Sequence, residues 1–134
     1  MPEILNFNKT FQALENAINI AHQRHDLISS NISNLDTPNK KAMDIDFKTA
    51  MARATESKNE VPLTRTHSGH MGPKTGGSQQ VEPFEAEGEW NGFNWINIDR
   101  EMTKLIENNL QYRTSTEVLL RKIAIMKEVI RGGR

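Results

Sequence analysis

Apolar residues recur with a heptad spacing in two long stretches of the chain, one near each end. The first repeat alternates steps of four and three, with His25 as its one polar exception, through Phe7, Phe11, Leu14, Ile18, Ala21, His25, Ile28, Ile32 and Leu35. The second, interrupted by the polar Asn109 and Thr116, runs in the same way through Ile98, Met102, Leu105, Asn109, Tyr112, Thr116, Leu119, Ile123, Met126 and Ile130. This spacing places one narrow stripe of side chains along a helix. Each stretch therefore predicts a long helix that packs against a partner.

The stripes also predict which side chains make the contacts. We assign an assembly seam to Phe11, Leu14, Ile18, Ile28, Leu105, Tyr112, Leu119, Ile123 and Met126. Apolar residues beside the stripe, such as Ile20 and Leu27, predict a second contact face on the first helix. We expect the two helices to run antiparallel, because a chain that turns back after Pro38 and re-enters at Asn97 makes the smaller excursion.

The middle of the chain has a different character. It contains Pro62, Pro73 and Pro83 and most of the glycines, and its Thr/Ser/Gly/His-rich part, 64–80, is too polar to offset the entropy of ordering it. The predicted fold class is therefore all-α, with two long terminal helices joined by a long irregular, partly disordered middle. The predicted units are 1–48, 49–96 and 97–134.

The ends of the second helix carry local signals that agree with its periodicity. Asn97 is a good N-cap, and the acidic Asp99 and Glu101 suit the positive end of the helix dipole. Glu117 and Arg121 have the spacing of an ion pair along one helix face.

Composition limits the classes of function. The chain has 134 residues, a mean hydropathy of -0.65, no cysteine, and 17 basic against 17 acidic side chains. Thin apolar content argues against an enzyme with a compact core, and zero net charge gives no support for nucleic acid as a partner. Without cysteine there is no thiolate nucleophile and no Cys-based zinc site. We expect no cofactor and no small-molecule substrate.

The most distinctive local sequence follows the first helix. Asn34, Asp36 and Asn39 bond readily to nearby backbone, and Pro38 forbids further helix. On spacing alone this is a helix end followed by a turn.

The strings Ser30-Asn31-Ile32-Ser33-Asn34 and Asp36-Thr37-Pro38 resemble the signature of the bacterial flagellar axial proteins, which include rod, hook and hook-associated subunits. Three further strings are similar to rod proteins of that family: Asp44-Ile45-Asp46-Phe47, Asn97-Ile98-Asp99-Arg100-Glu101-Met102 and Glu107-Asn108-Asn109-Leu110-Gln111-Tyr112. The resemblance covers the first 50 and the last 40 residues. It assigns a signature turn to Asn31, Ile32, Asn34, Asp36, Thr37, Pro38 and Asn39. Where the family usually has Gly and an aromatic residue after Thr-Pro, this chain has Asn39 and Lys40.

The resemblance implies a structural subunit of the proximal rod of the flagellar basal body, self-assembling through its terminal helices. The implied partners are other rod subunits, basal-body adaptor and MS-ring proteins, further copies of the chain, and the type III export apparatus. The implied location is the periplasm-spanning rod. The N-terminus lacks the basic start and apolar run of a cleaved signal peptide, which agrees with export by that route.

Other interpretations of the same residues remain open at this point. A soluble coiled-coil adaptor that binds a partner through its mobile middle would share the helical pattern. Two histidine pairs, His67 with His70 and His22 with His25, have a spacing compatible with a metal, but neither has a Cys partner. The segment 89–95 has an Asn-Gly between aromatics, which is typical of a tight hairpin. Its aromatics would equally suit packing on the helices or an intersubunit contact.

Overall fold

The structure is a computed structural model, and it describes residues 3–56 and 81–132. The elements in chain order are α1 (Glu3–Ser33), β1 (Met43–Asp44), α2 (Phe47–Glu56), β2 (Phe84–Glu85) and α3 (Ile98–Gly132). The fold is mostly helical, and the two long terminal helices that the heptad patterns predict are present.

The predicted cap of α3 is confirmed. The Asn97 side-chain oxygen accepts hydrogen bonds from the backbone N–H groups of Asp99 at 2.9 Å and Arg100 at 3.3 Å. These bonds satisfy donors that a helix start otherwise leaves without a partner. The predicted pair of Glu117 and Arg121 is also present, at 3.7 Å between the charged atoms.

The short helix α2 is an element that the sequence analysis did not predict. The irregular middle was expected to begin at residue 49, whereas the chain is helical to Glu56. Asp46 caps this helix by accepting the Lys48 N–H at 3.1 Å and the Thr49 hydroxyl, which lowers the pKa of Asp46. The segment 64–80, predicted to be mobile, and the histidine pair His67 and His70 lie outside the described residues.

A two-stranded sheet also amends the all-α prediction. β1 and β2 are antiparallel, with Met43 opposite Glu85 and Asp44 opposite Phe84. The Ala86 N–H extends the pairing by donating to the Ala42 carbonyl at 2.8 Å. A ladder this short is not stable alone, so its position depends on the helices that it lies against.

Helix α1 has two contact faces, as the apolar residues beside its seam predict. One face packs against α2 in a core of Ile20, Ile45, Ala50 and Ala54, with Leu27 and Met51 among the residues that complete it. The other face packs against α3 along most of its length. α1 therefore holds both the terminal helix and the start of the middle segment.

Three contacts define how α1 and α3 lie against each other. The Asn31 side chain donates to Glu101 at 2.8 Å, and the Asn108 side chain donates to the Ala21 carbonyl at 2.8 Å. Farther along, the Lys122 ammonium lies 5.4 Å from the centre of the Phe11 ring. As the residue number falls along α1, the number of its partner on α3 rises.

The seam residues differ in how deeply they are buried. Ile28 is fully buried, and Tyr112 is 43% exposed. Seven others are half-buried: Phe11, Leu14, Ile18, Leu105, Leu119, Ile123 and Met126. In the first half of α3 the buried positions are Glu101 and Asn108, whereas Met102 and Asn109 of the predicted stripe are exposed. The most deeply buried positions of that part of α3 are therefore polar, and each lies one residue before a position of the predicted stripe.

Candidate functional site at the turn after the first helix

The signature turn begins with a helix end that is held by its own polar side chains. The Asn34 side chain donates to the Ser30 carbonyl at 2.7 Å, and its backbone N–H donates to the same carbonyl at 3.1 Å. The Thr37 hydroxyl then donates to the Asn34 side-chain oxygen at 3.1 Å. After Asn34 the backbone bonds reach back only three residues, from the Leu35 N–H to the Ile32 carbonyl at 3.3 Å and from the Thr37 N–H to the Asn34 carbonyl at 3.0 Å, so α1 ends at Ser33 and a turn follows.

Asn39 takes the conformation that a turn without glycine requires of it. Its φ is 57°, in the left-handed region, which Asn tolerates better than most residues. Its N–H donates to the Phe93 carbonyl at 3.0 Å, and the Trp95 N–H donates to the Lys40 carbonyl at 3.0 Å. The turn thus pairs through its backbone with the segment that precedes α3.

Substitutions at Asn39 are expected to separate backbone conformation from side-chain chemistry. Asn39→Gly should leave the free energy of unfolding nearly unchanged, because glycine reaches positive φ without a Cβ clash. Asn39→Val should lower it by about 1–2 kcal/mol, because a β-branched residue is strained there. Urea denaturation of both variants checks this. Equal effects of Gly and Val would contradict the assignment of the strain to φ.

Asn94 fastens the turn from the other side, and sequence reasoning missed it. It is fully buried, and its side-chain amide donates to the carbonyls of Leu35 and Thr37. Its side-chain oxygen accepts the Ile96 N–H at 3.0 Å and the Asn91 side-chain amide at 3.0 Å. The segment 89–95, for which the sequence suggested a hairpin, forms no strand of its own. Trp95 makes a single β-bridge with Lys41, the Trp90 and Trp95 rings lie 4.4 Å apart, and the rest is a loop folded over the turn.

Asn31 is the signature residue with the most buried contacts. Its side-chain oxygen accepts the Met43 N–H at 3.0 Å, and its amide donates to the Met43 carbonyl at 2.8 Å. The same amide donates to the Glu101 carboxylate at 2.8 Å. Because the side chain acts towards β1 as a neighbouring strand would, Asn31 joins α1, β1 and α3 at one point.

Charged side chains next to Asn31 also connect α1, β1 and α3. Arg24 of α1 forms a two-pronged ion pair with Asp44 of β1, at 2.8 and 3.2 Å, and Lys104 of α3 lies 3.3 Å from Asp44 and 2.8 Å from Glu101. The Asp44 carboxylate also accepts the Ile45 N–H at 2.7 Å. We call Arg24, Asp44, Glu101 and Lys104 the buried ion network. It links the same three elements as Asn31.

The network keeps Asp44 ionised. Burial alone would raise the pKa of Asp44, but the hydrogen bond from Arg24, the bond from the Ile45 N–H and the charges of Arg24 and Lys104 outweigh it, so the pKa of Asp44 is lowered. The hydrogen bond to Asp44 in turn raises the pKa of Arg24 above its usual range. The carboxylate is therefore held as a structural anion.

The signature turn thus has an inner and an outer part. Asn31 faces inward, and Ile32 and Asn34 are half-buried. Asp36, Thr37, Pro38 and Asn39 are exposed. Arg24, Asn94 and Lys104 belong to the site but were not predicted, because no local signal in the sequence separates them from solvated polar residues.

Metal binding and membrane insertion receive no support from the described part of the chain. His22 is exposed and His25 half-buried, both beside a cavity of about 470 Å³, and residues 3–56 and 81–132 hold no group of three or more potential ligands. None of the helices in those ranges has the length and apolar character needed to cross a bilayer.

Comparison with known proteins gives a consistent result. No family model matches the chain. The chain is 33% identical over 125 residues to the flagellar basal body rod protein FlgB of Salmonella typhimurium, covering 89% of this chain and 91% of that protein. It is 30% identical over 128 residues to FlgB of Bacillus subtilis, covering 96% of this chain and 98% of that protein. FlgB of Escherichia coli is 32% identical over 130 residues. With this identity over nearly the whole length, the chain belongs to the FlgB family of flagellar basal body rod proteins.

Proposed function

We propose that the chain is a structural subunit of the proximal part of the rod and assembles through its terminal helices. The observation that carries this proposal is the outer face of α3, which presents apolar side chains that no part of the described chain covers. Ile106 is 65% exposed and Leu110 is 67% exposed, and Leu120 and Ile125 are each 60% exposed. Monomeric proteins rarely expose this much apolar surface on one helix, whereas a polymer subunit buries such surface against its neighbours.

Within the subunit, we infer that α1 and α3 run antiparallel. The contacts of Asn31 with Glu101, Ala21 with Asn108, and Phe11 with Lys122 support this direction, because partner numbers rise on one helix as they fall on the other. In this arrangement the exposed part of the signature turn lies at one end of the helix pair.

The proposed neighbours are other rod subunits, basal-body adaptor and MS-ring proteins, and further copies of this chain. The proposed route is passage through the type III export apparatus, without a cleaved signal peptide, to the periplasm-spanning rod. Family membership and the exposure of residues 36–39 of the signature turn support this role. A rod position requires contacts with several neighbours. The outer face of α3 and the exposed residues 36–39 of the signature turn are two separate surfaces that could make them.

A charge on the outer face of α3 tests the proposal. Leu110→Asp should leave the circular dichroism spectrum and melting temperature of the isolated protein unchanged, because the side chain is exposed. In a bacterium that lacks its own copy of the gene, the same variant should abolish swimming, because burying an unpaired charge at an interface costs several kcal/mol.

Gln12→Asp is the matched control, since it adds the same charge at an exposed polar position of α1. We expect this variant to swim normally. Normal swimming with Leu110→Asp would contradict assembly through α3.

A further inference from the structure

The chain is neutral overall, but its charge is separated along the molecule. Between residues 82 and 99 there are five acidic side chains and no Lys or Arg: Glu82, Glu85, Glu87, Glu89 and Asp99. Between residues 113 and 132 there are five basic side chains, Arg113, Arg121, Lys122, Lys127 and Arg131, against two acidic ones, Glu117 and Glu128. We call these segments the acidic end and the basic end.

The two segments lie at opposite ends of the helix pair. The acidic end lies beside the C-terminal end of α1, where the Asn94 side chain donates to the Leu35 carbonyl and Phe84 pairs with Asp44. The basic end lies beside the N-terminal part of α1, where the Lys122 ammonium lies over the Phe11 ring. A helix of 35 residues such as α3 is about 50 Å long. Screening in physiological salt acts over about 8 Å, so the two ends present separate fields to a neighbour.

The stretches that share each end do not cancel this separation. Residues 34–48, beside the acidic end, have three acidic and three basic side chains, and Arg100, which donates to the Glu87 carbonyl at 3.1 Å, adds one basic side chain against the five acidic ones. Residues 9–20, beside the basic end, have one of each, Glu15 and Lys9. The molecule therefore has a net negative charge at one end and a net positive charge at the other.

Each end also exposes apolar side chains. The acidic end exposes three aromatic rings, Phe84, Trp90 and Phe93, each close to half of its surface, together with Ile98. The basic end exposes the aliphatic Leu120, Ile125, Val129 and Ile130. Aromatic residues are enriched in the buried centres of interfaces, and charged rims of opposite sign set the register of the partners. The two ends are complementary in charge, and each supplies apolar area for a contact.

We propose that the acidic end of one copy docks on the basic end of a second copy. The occupant of each surface is thus another copy of this chain, and charge complementarity is the observation that selects it. Because the two surfaces differ, the contact is heterologous, and each added copy leaves one end of each kind available for the next. This inference rests on the proposed function in one respect, namely that the chain is a subunit of a polymer.

The ion pairs that the described residues already form at these ends do not prevent docking. Glu85 pairs with Lys41 at 2.6 Å and Glu117 with Arg121 at 3.7 Å, and all four side chains are about half or more exposed. Exposed pairs contribute at most about 1 kcal/mol and exchange readily. The charges can therefore re-pair across an interface at little cost.

A charge-swap experiment with the full chain tests the inference. The first variant carries Glu82→Lys, Glu87→Lys and Glu89→Lys, which leaves two acidic and three basic side chains at the acidic end. The second carries Arg113→Glu, Lys127→Glu and Arg131→Glu, which leaves two basic and five acidic side chains at the basic end. The control carries Ala52→Glu and Arg53→Glu, two exposed positions on α2 outside both ends and outside the stretches beside them. Circular dichroism establishes that each variant is folded.

Association is measured by sedimentation over a range of protein concentrations at low salt. We expect the native chain and the control to form species larger than a pair, and this association to weaken at ~1 M salt, where the screening length is about 3 Å. Each swapped variant alone should associate at least about tenfold more weakly, because both of its ends then have the same sign. An equimolar mixture of the two should recover the native association, because every contact again joins opposite charges.

The result that overturns the inference is a mixture that associates no better than the separate variants. Association of the native chain that stops at a pair would also overturn it, because a closed pair uses both ends of both copies. Neither result bears on the swimming test of Leu110→Asp, so failure here and failure of the proposed function can be told apart.

Discussion

Replacing Arg24 with Met is expected to lower the free energy of unfolding by about 2–4 kcal/mol, because it removes the two-pronged partner of the buried Asp44 carboxylate and leaves only Lys104 beside it. The Asp44 side chain is 8% exposed, and Lys104 at 3.3 Å is the cation that would stay beside it. Met keeps the apolar stem of Arg24, so the change removes charge more than volume. Urea denaturation followed by circular dichroism measures the effect.

Arg121→Met is the matched control, because it breaks the ion pair with Glu117 on an exposed helix face. Its effect should stay within about 0.5 kcal/mol. Adding Asp44→Leu to Arg24→Met should recover part of the loss, since a buried pair is often replaced by apolar residues at little cost. If Arg24→Met were as mild as Arg121→Met, the buried ion network would not stabilise the fold.

The same comparison has an expected pH dependence. The pKa of Asp44 is lowered by folding, so its contribution is present above its unfolded value, about 3.9, and is lost as pH falls through the folded value. The free energy of unfolding of the native chain should therefore fall below about pH 4. The difference in free energy of unfolding between the native chain and Arg24→Met should become smaller in the same range. A difference that stayed constant down to the acid transition would exclude Asp44 as the titrating group.

Replacing Asn31 with Leu is expected to cost about 3–5 kcal/mol, because several buried polar groups lose their partners together. The Met43 N–H and carbonyl and the Glu101 carboxylate each bond the Asn31 side chain at 3.0 Å or less. Leucine has a similar size, so the expected loss comes from polar groups and not from a cavity. Chemical denaturation measures it.

Asn109→Leu makes the same chemical change at an exposed position of α3 and should shift the free energy of unfolding by no more than about 0.5 kcal/mol. Comparable losses in the two variants would mean that the effect of Asn31→Leu comes from a general intolerance of leucine. A large loss at Asn31 alone would identify the signature residue as the joint between α1, β1 and α3.

The long helices could be predicted because their signals are local. Heptad spacing and the cap at Asn97 are both properties of neighbouring residues, and α3 begins where they indicate. The positive φ of Asn39 agrees with a local signal too, since the family usually has glycine at this place and Asn is among the residues that tolerate the left-handed region. The family could be predicted for the same reason, because its signature is a short continuous string.

The buried polar contacts could not be predicted from the pattern. Hydrophobic periodicity assigns polar residues to solvent, yet Glu101 and Asn108 lie on the inward face of α3. What holds them there is a partner far away in sequence: Asn31 is 70 residues from Glu101, and Ala21 is 87 residues from Asn108. No single sequence shows that two such residues meet.

Helix α2 was missed for a different reason. Its apolar positions, Phe47, Ala50, Met51 and Ala54, do follow a helical spacing, but two of them are alanines and the helix has only 10 residues. A helix this short is marginal alone and depends on tertiary contacts, here with Ile20 and Leu27 of α1. The helical pattern of α2 was present but weak, and the contacts with α1 that stabilise the helix join residues that are distant in the sequence.

The hydrogen bonds that hold the signature turn also determine when, during synthesis, the turn can form. Its partners come late in the chain: Asn94 is 57 and 59 residues beyond the carbonyls that it binds, and Glu101 is 70 residues beyond Asn31. Contacts over such separations form slowly, because the chain entropy lost in closing the loop precedes the gain. A chain that emerges N-terminus first cannot complete the turn until residue 101 has emerged. The finished turn therefore appears only on molecules that include residue 101, and chains truncated before it are left without it.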